Sequence, residues 1–331
     1  MDSPTIKNSN ADRQGEVVST SPSLLRLGWR DRWFRRLTFF FGITIVGIVG
    51  LNLLVLIWTS QKSLETYGWH FLIGTTWDPI HQIFGAAPYI YGTLVSALIA
   101  IGVATPLGIG TALFLTEFSP HFLRGPISFL IEILAAIPSV VFGLWGIFLL
   151  APFLRDHIDP YLIHWIGPPL FRLPSTGPSL FTAGIILAIM ILPTISAISR
   201  EVFESIPNSY RESARALGAT SWETIHLAVL KPAQSGIWGA IILALGRALG
   251  ETMAVTMIIG NRPKISANLL QPSHSMASVI ANEFTEAMGT RYLSALTEIG
   301  LLLLIITLLI NIMANALVWI TTRKFSIHER I

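Results

Sequence analysis

Six apolar stretches decide what this chain can become. They run at 37–59, 91–115, 127–153, 181–198, 237–259 and 296–320. Each is near the roughly 20 residues a helix needs to cross a bilayer core. In lipid every backbone N–H and C=O must find a partner within the protein, which makes continuous apolar runs of this length helical. The expected fold class is therefore all-α and integral to a membrane, with six transmembrane helices. Composition agrees: 52% of the 331 residues are hydrophobic and 12% are charged, against about 25% charged in soluble domains. Cysteine is absent, which excludes disulfides and cysteine-ligated metals. No Gly-x-x-x-x-Gly-Lys-[Ser/Thr] run is present, so no phosphate-cradling nucleotide loop is visible.

The stretches divide the chain. Residues 1–36 precede the first of them. The polar residues 1–22 lack apolar periodicity and are expected to be disordered. Arg26, Arg30, Arg32, Arg35 and Arg36 then alternate with Leu25, Leu27, Trp29, Trp33 and Phe34. That pattern predicts a short helix lying on an anionic membrane face. After the first transmembrane helix at 37–59 comes an outer loop, 60–90. A core of five helices, 91–320, follows, and then a short tail, 321–331. Gly92, Gly102, Gly108 and Gly110 in the second stretch read as close helix packing. Pro138 and Pro193, inside the third and fourth stretches, each free a backbone carbonyl and are candidate kink or gating points. His157 and His164 in the loop at 154–180 read as solvated surface rather than a metal site.

Lysine and arginine set the orientation. Fifteen lie on the side holding both termini and six on the other, with Arg247 between. The richer side is cytoplasmic by the positive-inside rule. The same side holds the loop at 199–236. Ser209 and Glu212 stand in capping-box relation, as do Thr220 and Glu223, and Gly218 between them can end a helix in the left-handed conformation. The expectation is helix, sharp glycine turn, helix, with Trp222, Ile225 and Val229 on one face. Such a capped hairpin suits an external motor; a solvated hairpin lying on lipid is the plainer alternative.

Arg247 falls about midway along the fifth stretch. A charge at that depth costs a few kcal/mol and needs a partner or a wet cavity. Glu251, four residues on, would share its helix face. The pair could simply neutralise itself. It could also offer a guanidinium, whose planar fork suits oxyanions, with Glu251 holding it in place. Gly246 and Gly250 would permit close backbone approach. Glu132 in the third stretch is a further intramembrane carboxylate.

These residues resemble the permease subunits of ATP-binding-cassette importers. Glu212-Ser213-Ala214, three further residues and Gly218 match the family's Glu-Ala-Ala loop, with Ser in the second position. In the motif's tail Leu230 matches, while Ala228 stands for Ile, Lys231 occupies the proline position and Pro232 comes one residue late. The phosphate-type permeases are the nearer resemblance, carried by Trp77-Asp78-Pro79, Phe114-Leu115-Thr116-Glu117, 135–143, Arg200-Glu201-Val202-Phe203 and above all 246–259. The resemblance implies a type I ABC importer permease fold. It implies a coupling helix in which Glu212, Ser213, Ala214, Gly218, Trp222 and Leu230 serve docking of an ATPase dimer. That ATPase would hold the ATP and Mg; this chain would hold no cofactor. A homologous permease subunit, an extracytoplasmic phosphate-binding protein and membrane lipid are the other implied partners, with no nucleic acid. Arg247 and Glu251, with Gly246 and Gly250, match positions associated with phosphate passage. The chain is thus expected to be a transporter subunit and not an enzyme. Permeases for molybdate, sulfate or a phosphonate share the loop and remain alternatives. A secondary transporter would want inverted internal repeats, and none is evident. A membrane-embedded enzyme would want a nucleophile or histidine constellation at one depth, which is also not evident.

Overall fold

The computed structural model describes residues 29–328. The polar tail, Leu25, Arg26 and Leu27 of the basic segment, and Arg330 lie outside the described residues. The chain is helical from Trp29. In order the helices are α1 (Trp29–Tyr67), α2 (His70–Ile73), α3 (Ala87–Leu113), α4 (His121–Ala136), α5 (Ser139–Trp145), α6 (Ala151–Phe153) and α7 (Asp159–Trp165). They continue as α8 (Leu180–Glu204), α9 (Asn208–Ala216), α10 (Ser221–Thr224), α11 (Lys231–Gly250), α12 (Met253–Ile258), α13 (Met276–Glu283) and α14 (Thr290–His328). Four π-helical turns extend or join them, at Phe114–Phe118, Gly146–Leu150, Leu154–Ile158 and Ile225–Leu230. Among the described residues there is no strand, only an antiparallel bridge between Asp78 and Ile83 in the segment between α2 and α3.

Six helical runs are long and apolar enough to cross a membrane: Asp31–Tyr67, Ala87–Phe118, Ser139–Trp165, Leu180–Glu204, Ser221–Gly250 and Thr290–Ala316. The sixfold expectation holds, but three details differ. First, Arg32, Arg35 and Arg36 sit in the opening turns of α1 and not in a separate interfacial helix. Neither Gly nor Pro interrupts the segment before Gly42, so nothing stops the helix from running on into lipid.

Second, the third stretch is two helices. Ile137 and Pro138 are both extended, with ψ of 129° and 142°. Proline drives the residue before it out of the helical region and has no N–H to donate, so Pro138 breaks the chain here instead of kinking it. The membrane-length run begins at Ser139 and continues to Trp165, through residues expected in a loop. Pro193 behaves differently. It is buried inside α8, whose helical assignment is unbroken from Leu180 to Glu204.

Third, the fifth stretch is offset. Its helical run starts at Ser221 and stops at Gly250, and Glu251 is extended with ψ of 127°.

By contacts the chain divides into 1–54 and 55–331. In the second unit α3 and α8 are the central pair. Ala97, Ala100 and Ala104 pack with Ala183, Leu187, Ile191 and Ile195, and Ala244, Ala248 and Leu249 of α11 join them. Small side chains in this seam let the helices approach closely. The last turns of α1 are tied to α14: Ser63 N–H donates to Ser294 Oγ at 3.0 Å, and Ser294 Oγ donates to the Thr59 carbonyl at 2.9 Å. The segment before α13 crosses α3 at Gly92, where an added Cβ would collide with the His274 carbonyl oxygen. Gly92 therefore admits a loop backbone, not a neighbouring helix.

Candidate functional site

Two regions hold the residues that the sequence singles out. The first is the hairpin after α8. Pro207 stands at the N-cap of α9 with no side-chain cap bond, so the expected Ser209–Glu212 box does not form. The helix starts two residues earlier than that box requires, and Ser209 lies within its first turn. The other local signals are realised. Gly218 has φ of +86°. Its N–H donates to the Arg215 carbonyl at 2.9 Å, and Ala219 N–H donates to the Ala214 carbonyl at 3.1 Å. These two bonds are the Schellman pair that satisfies a helix C-terminus. Thr220 and Glu223 then form a complete capping box at α10.

The hairpin is anchored from below. Val229 and Ala233 pack with Phe203, Ile206 and Ala112, and Leu230 leans on the same cluster. Thr224, Ile225, Ala228 and Val229 are the buried face. Trp222 is not part of it: it is 66% exposed, a turn beyond the reach of that cluster. Among the docking candidates Glu212, Ser213, Gly218 and Trp222 point outward, Ala214 is half-buried, and Leu230 serves the anchor. Leu217, at the tip, is 91% exposed. An open groove of about 550 Å³ runs between the two helices, lined by Tyr210, Ala214, Leu217, Gly218, Glu223 and Leu227 among others. Large apolar side chains so placed on a charged loop mark a contact surface.

A buried ion pair, not marked in the sequence, holds this hairpin to the spanning helices. Arg211 Nη2 lies 2.8 Å from Glu117 Oε1. Its Nη1 donates to the Ile206 carbonyl at 2.9 Å, and its Nη2 also donates to the Phe203 carbonyl at 3.1 Å. Glu117 sits in the π turn that ends α3. The guanidinium thus joins the end of α3, the end of α8 and the start of α9.

The second region is the end of α11. Arg247 lies in its last turn, not midway along a span, because the helix stops at Gly250. Glu251 does not share its face. It is outside the helix, and its Oε1 lies 3.5 Å from Ala254 N, at the start of α12. No ion pair joins Arg247 to Glu251, and no partner for the guanidinium is found among the described residues. Arg247 is exposed on the surface of the chain. The self-neutralised pair is therefore absent, because the helix break turns the two side chains apart. Gly250 has open space around it, and Gly246 meets only the Asn311 amide, at 3.9 Å from a built Cβ. Neither glycine makes the close backbone approach expected of it. Pro138 divides α4 from α5, and Pro193 lies within α8. Glu132 is exposed on α4. Glu298 of α14, which the sequence reading passed over, is only 2% exposed, and its Oε2 has no partner among the described residues. A lone carboxylate in an apolar stretch is the sequence signal that could have found it. Among the described residues no group of three or more His, Asp or Glu side chains could hold a metal ion.

The chain as a whole is similar to known proteins. Residues 104–326 match the family of binding-protein-dependent transport system inner membrane components. The chain is 44% identical over 302 residues to the phosphate transport system permease protein PstC of Mesorhizobium japonicum, covering 90% of this chain and 92% of that one. It is 43% identical over 307 residues to the PstC of Haemophilus influenzae, covering 91% and 97%. In fold it is similar to a chain of the bacterial alginate ABC transporter in complex with alginate pentasaccharide-bound periplasmic protein. There the TM-score is 0.54 at 18% identity, with 88% of this chain and 96% of that chain covered. The chain belongs to the binding-protein-dependent transport system inner membrane component family, and within it to the permeases of the PstC type.

Proposed function

We propose that this chain is the permease subunit of an ATP-driven inorganic phosphate importer. It forms half of the translocation path, beside a homologous PstA-like permease. A PstB-like ATPase dimer docks on the α9–α10 hairpin, and a PstS-like binding protein delivers phosphate from outside. Both termini and the hairpin face the cytoplasm, in line with the distribution of lysine and arginine.

The observation that carries this reading is Arg247, exposed and unpaired at the end of an apolar helix. A guanidinium without a carboxylate partner costs free energy in a membrane unless something anionic or aqueous meets it. Its planar donors match the oxygens of a tetrahedral oxyanion. Glu251, held apart from it at the foot of α12, is free to temper the affinity for an anion instead of neutralising the cation. The names of the close relatives support phosphate as that anion.

The test is ATP-dependent uptake of radiolabelled phosphate into proteoliposomes containing this chain with its partner permease, ATPase and binding protein. Arg247→Gln is expected to lose uptake while the complex still assembles. Undiminished uptake by that variant would remove Arg247 from the path. Uptake of another oxyanion in place of phosphate by the wild type would keep the architecture and change the substrate.

A further inference from the structure

The seam between α11 and α14 contains an amide oxygen with no hydrogen-bond partner among the described residues. Asn311 of α14 lies across Gly246: a Cβ built on that glycine would sit 3.9 Å from Asn311 Nδ2 and 4.0 Å from its Oδ1. The Oδ1 is shielded from solvent and has no hydrogen-bond partner among the described residues. Asn315, one turn on, is different, since its Nδ2 donates to the Asn311 main-chain carbonyl at 2.9 Å. Asparagine in a transmembrane helix ordinarily closes a bond to a neighbouring helix. Asn311 has a neighbouring helix against it and closes none.

Its position relates it to Arg247. Residues 243, 246, 247 and 250 repeat at i, i+3, i+4 and i+7, so they share one face of α11. On that face Leu243, Arg247 and Gly250 are exposed, and Gly250 has nothing within 4 Å of a built Cβ. Asn311 therefore covers one corner of the open face from which the guanidinium projects.

We propose that Asn311 lines the passage beside Arg247 and gives the transported oxyanion an uncharged hydrogen-bonding group. The inference rests on the oxyanion reading of Arg247. Its chemistry is that of release as well as capture. A permeating ion must bind well enough to enter and weakly enough to leave. A second cation beside Arg247 would hold the anion, and a carboxylate would repel it. A neutral amide does neither. Its NH2 donates to an unprotonated oxygen, and its Oδ1 accepts the acidic hydroxyl that a phosphate-like anion still carries at neutral pH and that sulfate lacks. Turning the amide about its terminal bond exchanges the two ends, so one residue serves either oxygen type.

The cysteine-free sequence makes the position directly testable. Asn311→Cys places the chain's one thiol at the seam, in the assembled transporter reconstituted with cysteine-free partner chains. A charged methanethiosulfonate reagent is expected to modify that thiol during ATP turnover and to stop phosphate uptake. A thiol that stays unmodified in the resting, nucleotide-bound and turning-over states would place Asn311 in a dry packing seam and overturn the proposal. As a second measure, Asn311→Leu is expected to lower phosphate uptake about tenfold, the scale of one lost hydrogen bond, with Asn311→Gln retaining part of it. Uptake by Asn311→Leu at the wild-type rate would overturn it too. A wild-type transporter that carries sulfate and not phosphate would instead overturn the phosphate reading, and the thiol's accessibility would still judge Asn311 on its own.

Discussion

Arg211 and Glu117, 94 residues apart in the chain, meet in a buried ion pair whose side chains are 13% and 9% exposed. The contact is two-pronged: Arg211 Nη2 lies 2.8 Å and Nε 3.1 Å from the same carboxylate oxygen. Carbonyls at the end of α8 take further donors of the guanidinium. The pair ties α9 to α3 and α8, the two helices at the centre of the core. Besides the pair, the carbonyl bonds of Arg211 and the small cluster around Val229 join the hairpin to the spanning helices.

Arg211→Ala leaves the Glu117 carboxylate buried with no compensating charge. Breaking a buried pair from one side costs about 3 kcal/mol or more. The expected result is a lower unfolding temperature of the purified complex and ATPase activity no longer tied to transport. The exchange Arg211→Glu with Glu117→Arg is expected to recover part of both. A single variant with wild-type unfolding temperature and coupling would show that the pair does not brace the hairpin.

Gly218→Asp meets no steric obstacle, since nothing lies within 4 Å of a Cβ built there. The cost is conformational: φ of +86° is left-handed, and a side chain there costs roughly 1 kcal/mol. The Schellman bonds loosen, and a charge enters the groove. ATP hydrolysis is expected to continue while phosphate uptake falls, read as the ratio of phosphate carried to ATP consumed. An unchanged ratio would count against the glycine turn as part of the motor contact.

Trp222 and Leu217 are the two most exposed large apolar side chains of the hairpin. Trp222→Ala is expected to weaken ATPase binding by about 2 kcal/mol, roughly thirtyfold, as for an aromatic at the centre of an interface. Titration of the purified ATPase onto the reconstituted permease pair measures this. Equal affinity for both forms would place the docking contact elsewhere on the chain.

His274, in the segment before α13, gives a pH dependence with a defined sign. Burial pushes its imidazole from 6.5 down to about 4, with the Ser278 backbone pulling the other way. Between those values the unfolded chain binds a proton that the folded chain does not. Stability is therefore full above about pH 6.5 and declines as pH falls toward 4. Thermal unfolding of the detergent-solubilised protein across that range is expected to show the slope, and His274→Leu to flatten it. Identical slopes in the two proteins would assign the acid sensitivity to other groups.

Local rules were legible from the residues alone. Six apolar runs without an alternative partner for their backbone could only be helices in lipid, and the membrane class followed. Gly218 and the Thr220–Glu223 box declared the hairpin, because a left-handed glycine and a reciprocal cap are decided by neighbours within a few residues. The family motif at Glu212 to Gly218 could be read for the same reason.

What the residues alone could not decide lay between elements distant in sequence. Pro138 and Pro193 look alike in the chain, yet one ends a helix and the other is carried inside α8 among buried neighbours such as Met190, Ile191 and Ile195. Arg247 and Glu251 stand at helical spacing, and spacing pairs them only if the helix continues. The turn at Glu251 ends it and leaves the guanidinium uncompensated. Glu117 finding Arg211, and Asn311 lying over Gly246, depend on which helices pack side by side. That choice is made by the summed fit of many small side chains across α3, α8, α11 and α14, and no single stretch of sequence contains it.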